Sequence, residues 1–134
     1  MGTWDFGPFD NDDASDWLFA LEECDDLSVL SAALQAVNNI GGGYLEAAEG
    51  SNAIAAAEVV AALRGQPMEN LPENAAAWVS ENRKLDASSL VATSQSAITR
   101  IRTNSELKEL FEESGEAEKW YKTLDDLSSR LARC

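Results

Sequence analysis

An all-α fold follows from three features of this sequence. Apolar residues recur at helical spacing along most of the chain, caps and breakers punctuate them, and no segment alternates with the period of two of a strand. The expected architecture is a compact single-domain bundle of about five to seven helices, counted from the stripes. At its centre stands a buried alanine-rich helix, about residues 51–64. An aromatic N-terminal arm, residues 1–11, packs on it. With 134 residues the chain is long enough to bury a core of its own.

Ala14, Trp17, Leu18 and Leu21 share one face of a first helix that ends near Cys24. Val29, Leu30, Ala33, Leu34, Val37 and Ile40 stripe a second, which Gly41-Gly42-Gly43 stops. Those glycines lack the Lys-Ser/Thr of a phosphate loop and serve as a breaker. Ser51 is the expected cap of a third helix reaching Leu63 or Arg64, with Gly65 as its stop. From Ala53 to Leu63 every residue but Glu58 is apolar, so this helix should be buried all round. Pro72 suits the first turn of a fourth helix that carries Ala75, Ala76, Trp78 and Val79. Asp86 should cap a fifth, whose inner side is Leu90, Val91, Ala97, Ile98 and Ile101. Thr103 and Glu106 have the spacing of a capping box for a sixth, with Leu107, Leu110 and Phe111 inward and Gly115 at its end. Trp120, Tyr121, Leu124, Leu127 and Leu131 stripe the last. Trp17, Trp78 and Trp120 sit at core spacing.

The N-terminus combines an aromatic cluster, a turn and an acidic helix start. Gly7-Pro8 is a turn signal, and Trp4, Phe6 and Phe9 are too apolar for a solvated tail. Asp12, Asp13 and Asp16 fall in the first turns of the helix, where the macrodipole favours negative charge. The run Met1-Gly2-x-Trp4-x-x-Gly7-Pro8-Phe9-x-Asn11-Asp12-x-Ala14-x-Asp16-Trp17 resembles the opening of the bacterial domain-of-unknown-function 4259 family. Asp5 stands where that family usually has glycine. Tyr44-Leu45-Glu46-Ala47, residues 55–63, Trp78 and residues 104–110 extend the similarity over most of the chain. The resemblance implies a family and no activity, so function has to be read from the residues.

The net charge is −14, and it is unevenly placed. Residues 1–63 hold twelve carboxylates and no Lys or Arg, whereas residues 64–134 hold twelve carboxylates and ten basic residues. Such a field repels nucleic acid and anionic lipid and attracts basic proteins. No apolar run approaches the ~20 residues that cross a membrane. No basic region precedes an apolar stretch at the N-terminus, and Cys24 and Cys134 make no disulfide framework. A cytoplasmic protein is expected.

The chain has no histidine, which removes imidazole-based nucleophile systems and zinc sites. Catalysis would have to rest on carboxylates, Lys, Tyr or a hard metal bound by oxygens. Glu58 is the most unusual carboxylate, because burying it requires hydrogen bonds, a cation or a proton. Its expected role is structural, alongside Trp4, Phe9 and Trp17. Backbone N–H groups of the arm or a basic residue such as Arg100 would hold it. The alternative joins Asp10, Asp12, Glu46, Glu49 and Glu58 into a metal cluster for a small hydrolase. The favoured reading needs no cofactor. It is a non-enzymatic acidic module that binds a basic protein, immunity- or antitoxin-like, through Asp13, Asp16, Glu22 and Glu23.

Overall fold

The computed structural model describes Phe9, residues 12–69 and residues 71–134. These form seven α-helices: α1 Asp12–Glu22, α2 Ser28–Asn38, α3 Ala47–Leu63, α4 Glu73–Glu81, α5 Val91–Thr103, α6 Glu106–Ser114 and α7 Ala117–Ala132. A 3₁₀ turn, Ser88–Leu90, leads into α5. Among the described residues there is no strand.

All six other helices pack against α3. Its residues from Ala53 through Ala62 are buried without a break, Glu58 included. A helix surrounded on every side has no polar face to present, which is why its apolar character is continuous. The alanines let the neighbours approach closely. At Gly50 the approach is closer still: a Cβ there would stand 2.9 Å from Leu107 Cδ1 of α6.

The tryptophans expected in the core are buried. Trp120 is 2% exposed and stacks on Phe111, ring centroids 5.2 Å apart. Trp17 and Trp78 are buried. Gly115, at φ 85°, takes the left-handed conformation that ends α6. Residues 1–8, 10 and 11 of the expected arm, Trp4 and Asp10 among them, lie outside the described residues. Phe9 packs half-buried against the core.

Three caps differ from the sequence expectation. The N-cap position of α5 is Leu90, with no side-chain cap bond, and Asp86 accepts instead from the Ser88 N–H at 3.0 Å, at the start of the 3₁₀ turn. α3 begins at Ala47, four residues before Ser51, and Ser51 is an interior residue, 2% exposed. Its N-cap position is Glu46, whose side chain makes no cap bond. Glu106 from α6 supplies it instead: its Oε1 accepts from the Ala47 N–H at 2.8 Å, and its own N–H donates to the Leu45 carbonyl at 2.9 Å. Thr103 stays within α5, donating to the Thr99 carbonyl, and Ser105 caps α6 by accepting from the Lys108 N–H at 3.1 Å.

Candidate functional site

α1 is amphipathic in the ordinary way on its inner side, where Ala14, Trp17, Leu18 and Leu21 are buried. Its outer side is not ordinary. At about 100° per residue, Asp12, Asp16 and Phe19 fall within about 60° of one another, opposite the core. Glu23, the residue after α1, continues that line. Phe19 is 62% exposed, one of two large apolar side chains left open among the described residues, with Tyr44 the other. Helical spacing of three and four puts Asp16 and Glu23 on either side of the Phe19 ring, and Glu22 three residues on. Asp16, Glu22 and Glu23 are exposed and Asp13 is half-buried. Asp13 and Glu22 lie about 180° apart around the helix, so the four predicted contact residues flank a stripe rather than share it.

The acidity of this face is uncompensated. Among the described residues, the ion pairs within 4.0 Å take their acids from Glu58 and from residues after it. Glu22 receives only an amide bond, from Asn74 Nδ2 at 3.4 Å. Asp12, Asp13, Asp16 and Glu23 have no described cation within 4.0 Å. The basic residues of the second half are mostly engaged elsewhere: Arg64 with Asp86, Arg102 with Asp125, Lys108 with Glu112, and Lys119 with Glu116.

Beyond its end, α1 shares a polar cleft of about 450 Å³ with α4, lined by Glu22, Glu23, Asp25, Glu81 and Lys84. The indole N–H of Trp78 donates to the Cys24 carbonyl at 2.7 Å and pins the α1–α2 turn to α4. Within that turn Asp26 Oδ1 accepts from the Ser28 hydroxyl at 2.6 Å, the Ser28 N–H at 2.9 Å and the Cys24 thiol at 3.0 Å. The Ser28 hydroxyl, then the thiol and the Ser28 N–H, pull the Asp26 carboxyl down to about 2.

Glu58 is held by Arg130 of α7, not by Arg100. Arg130 Nη1 and Nη2 donate to its two oxygens at 2.8 and 3.0 Å. Arg130 also donates to Asp126 Oδ2 at 2.8 Å and to the Gln66 carbonyl at 3.1 Å. Burial pushes the Glu58 carboxyl above its ordinary value, with the Arg130 bonds acting against the rise. Burial also works against the Arg130 charge, but the bonds to Glu58 and Asp126 more than offset it and hold the guanidinium above its usual value. Arg100 donates to the carbonyls of Gly41 and Gly43 instead, gripping the glycine turn after α2.

Four of the five carboxylates of the metal alternative are described. Asp12 is exposed in the first turn of α1, Glu46 is exposed ahead of α3, Glu49 is half-buried, and Glu58 is committed to Arg130. Asp10 lies outside the described residues. Among the described residues no three His, Cys, Asp or Glu side chains gather to hold a metal ion. No described helix is long and apolar enough to cross a membrane.

Phe19 is the residue that the sequence reading passed over. Its signal was available, since it stands off the Ala14, Trp17, Leu18, Leu21 stripe by more than a quarter turn. No curated protein and no solved structure matches the chain. The family model of a domain of unknown function, DUF4259, matches residues 2–123, and the chain belongs to that family.

Proposed function

We propose that this chain is a non-enzymatic binding module that docks a basic protein surface through the outer face of α1. The observation that carries the reading is Phe19: 62% exposed, on a helix whose carboxylates have no described cation partner. Unlike charges would stabilise such a face, and among the described residues no cation stands within 4.0 Å of its carboxylates. An aromatic anchor inside a charged rim is the usual anatomy of an interface hot spot. The surrounding field steers a basic partner toward it and raises the encounter rate. The role of an immunity protein covering the basic face of a toxin fits this chemistry by analogy.

The test is affinity capture from the native host with the wild-type chain and with Asp16→Lys/Glu23→Lys. Capture of a basic protein by the wild type, lost in the double variant and weakened by Phe19→Ser, supports the proposal. Equal recovery by all three chains, or turnover of a small molecule without any captured protein, defeats it.

A further inference from the structure

A second concavity lies away from the outer face of α1. The end of α3, residues 65–69, Leu71 and α4 enclose a groove of about 430 Å³. Ala62 and Val79 form its floor, each 3% exposed, and the half-buried Met68 and Leu71 form an apolar wall. That volume is within the roughly 300–1,000 Å³ of small-molecule sites, which are mostly apolar with a few convergent polar groups.

The groove is held in shape by contacts that do not involve its lining side chains. Gly65 turns the chain at φ +87°, and the Gln66 N–H donates back to the Ala61 carbonyl at 2.8 Å. The Gln66 carbonyl accepts from the buried guanidinium of Arg130 at 3.1 Å. On the other side, Asn82 closes α4 by donating from Nδ2 to the Trp78 carbonyl at 2.8 Å. The next residue, Arg83, lines the groove. Arg83 has no carboxylate within 4.0 Å among the described residues, so its guanidinium is not already paired.

We infer that this groove binds a small aliphatic monocarboxylate, its tail on Ala62, Val79 and Leu71 and its carboxylate on Arg83. A planar guanidinium pairs a carboxylate through two parallel bonds. The remainder of the lining selects the charge. Glu69 also borders the groove and the chain carries −14 overall, so a dianion such as a phosphate monoester is repelled where a single negative charge can be met by Arg83. A cationic amphiphile would face Arg83 itself. The inference is independent of the α1 docking face.

The test is isothermal titration calorimetry of the full chain with decanoate below its micelle concentration. Binding with one site per chain is expected, weakened about tenfold or more in Arg83→Gln, as for loss of a charged hydrogen-bond partner. Ala76→Trp, at an exposed position of the groove edge, should block decanoate while leaving the melting temperature in place. Decyltrimethylammonium should not bind. Absence of decanoate binding at millimolar concentration overturns the inference. So does equal affinity in Arg83→Gln, binding that survives Ala76→Trp, or equal binding of the cationic amphiphile.

Discussion

Glu58 of α3 and Arg130 of α7 are joined by two hydrogen bonds, 2.8 and 3.0 Å long, across 72 residues of sequence. Their side chains are 1% and 7% exposed. The pair is not symmetric. Glu58 has Arg130 as its cation, whereas Arg130 also bonds Asp126 and the Gln66 carbonyl. Removing one partner therefore leaves different remainders.

Arg130→Met strands a carboxylate among the alanines of α3. Breaking a buried pair in this way costs about 3–5 kcal/mol. Glu58→Gln leaves Arg130 with Asp126 and Gln66, so its cost should be clearly smaller. The double variant should lose less than the sum of the two. Urea unfolding of the three variants reads this directly, and equal losses in the single variants would refute the asymmetry.

The same pair sets a pH dependence. Because burial raises the Glu58 carboxyl above 4.5, the folded chain takes up this proton at higher pH than the unfolded chain does. The stability from this group is fully present below 4.5 and is lost as pH rises through the raised value. Relative to Glu58→Gln, which cannot titrate, the wild-type urea midpoint should fall as pH rises from 4.5 through the raised value. Arg130→Met removes the opposing bonds and should steepen the fall. A wild-type midpoint that rises over this interval relative to Glu58→Gln contradicts the assignment.

Asp26 runs in the opposite direction. Its carboxyl is held at about 2 by Ser28 and Cys24, below the ordinary 3.8. Its contribution is present above 3.8 and is lost as pH falls through about 2. Carboxyl-carbon NMR titration of Asp26 should give a midpoint near 2, and Ser28→Ala should move it back toward 3.8. A wild-type midpoint at the ordinary value would show that the turn does not form in solution.

Glu106 offers a test of capping between helices. Glu106→Ala frees the Ala47 N–H at the start of α3, and loss of a cap costs about 0.5–2 kcal/mol. Glu106→Gln keeps an oxygen acceptor and should recover most of that loss. Amide exchange at Ala47 should quicken in Glu106→Ala alone. Unchanged exchange there would place the cap elsewhere.

The local signals were legible and the long-range pairings were not. Gly115, the stripe of α7 and the apolar length of α3 each act within a few residues, and each stands in the structure as the sequence implied. The start of α3 did not, because its cap comes from Glu106, 59 residues away. Ser51 has cap chemistry but sits one turn inside the helix, since position relative to α6 decides where the helix begins. Glu58 was recognisable as a buried acid from its apolar neighbours alone. Its partner was not, because Arg100 and Arg130 look alike until the packing of α7 on α3 is known. On α1, periodicity located the acidic side but gave no weight to Phe19, a core-type residue standing on the wrong face.

That wrong face makes a final prediction about stability. Asp16 and Glu23 are exposed and flank Phe19 with no described cation within 4.0 Å, so neither makes an ion pair that holds the fold. Asp16→Lys/Glu23→Lys should therefore leave the melting temperature unchanged or raised. Association with a basic partner should respond in the opposite sense. Wild-type association should slow as salt rises from ~0.05 to ~0.5 M, while the Debye length shrinks from about 14 Å to about 4 Å. The double variant should start slower and respond less to salt, since steering acts on the encounter. Phe19→Ser should leave the encounter rate and its salt dependence intact and speed dissociation, because the ring acts only after contact. Stopped-flow kinetics separates the two effects. A melting temperature lowered by the charge reversals, with association unaltered, would make this face part of the fold rather than a contact surface.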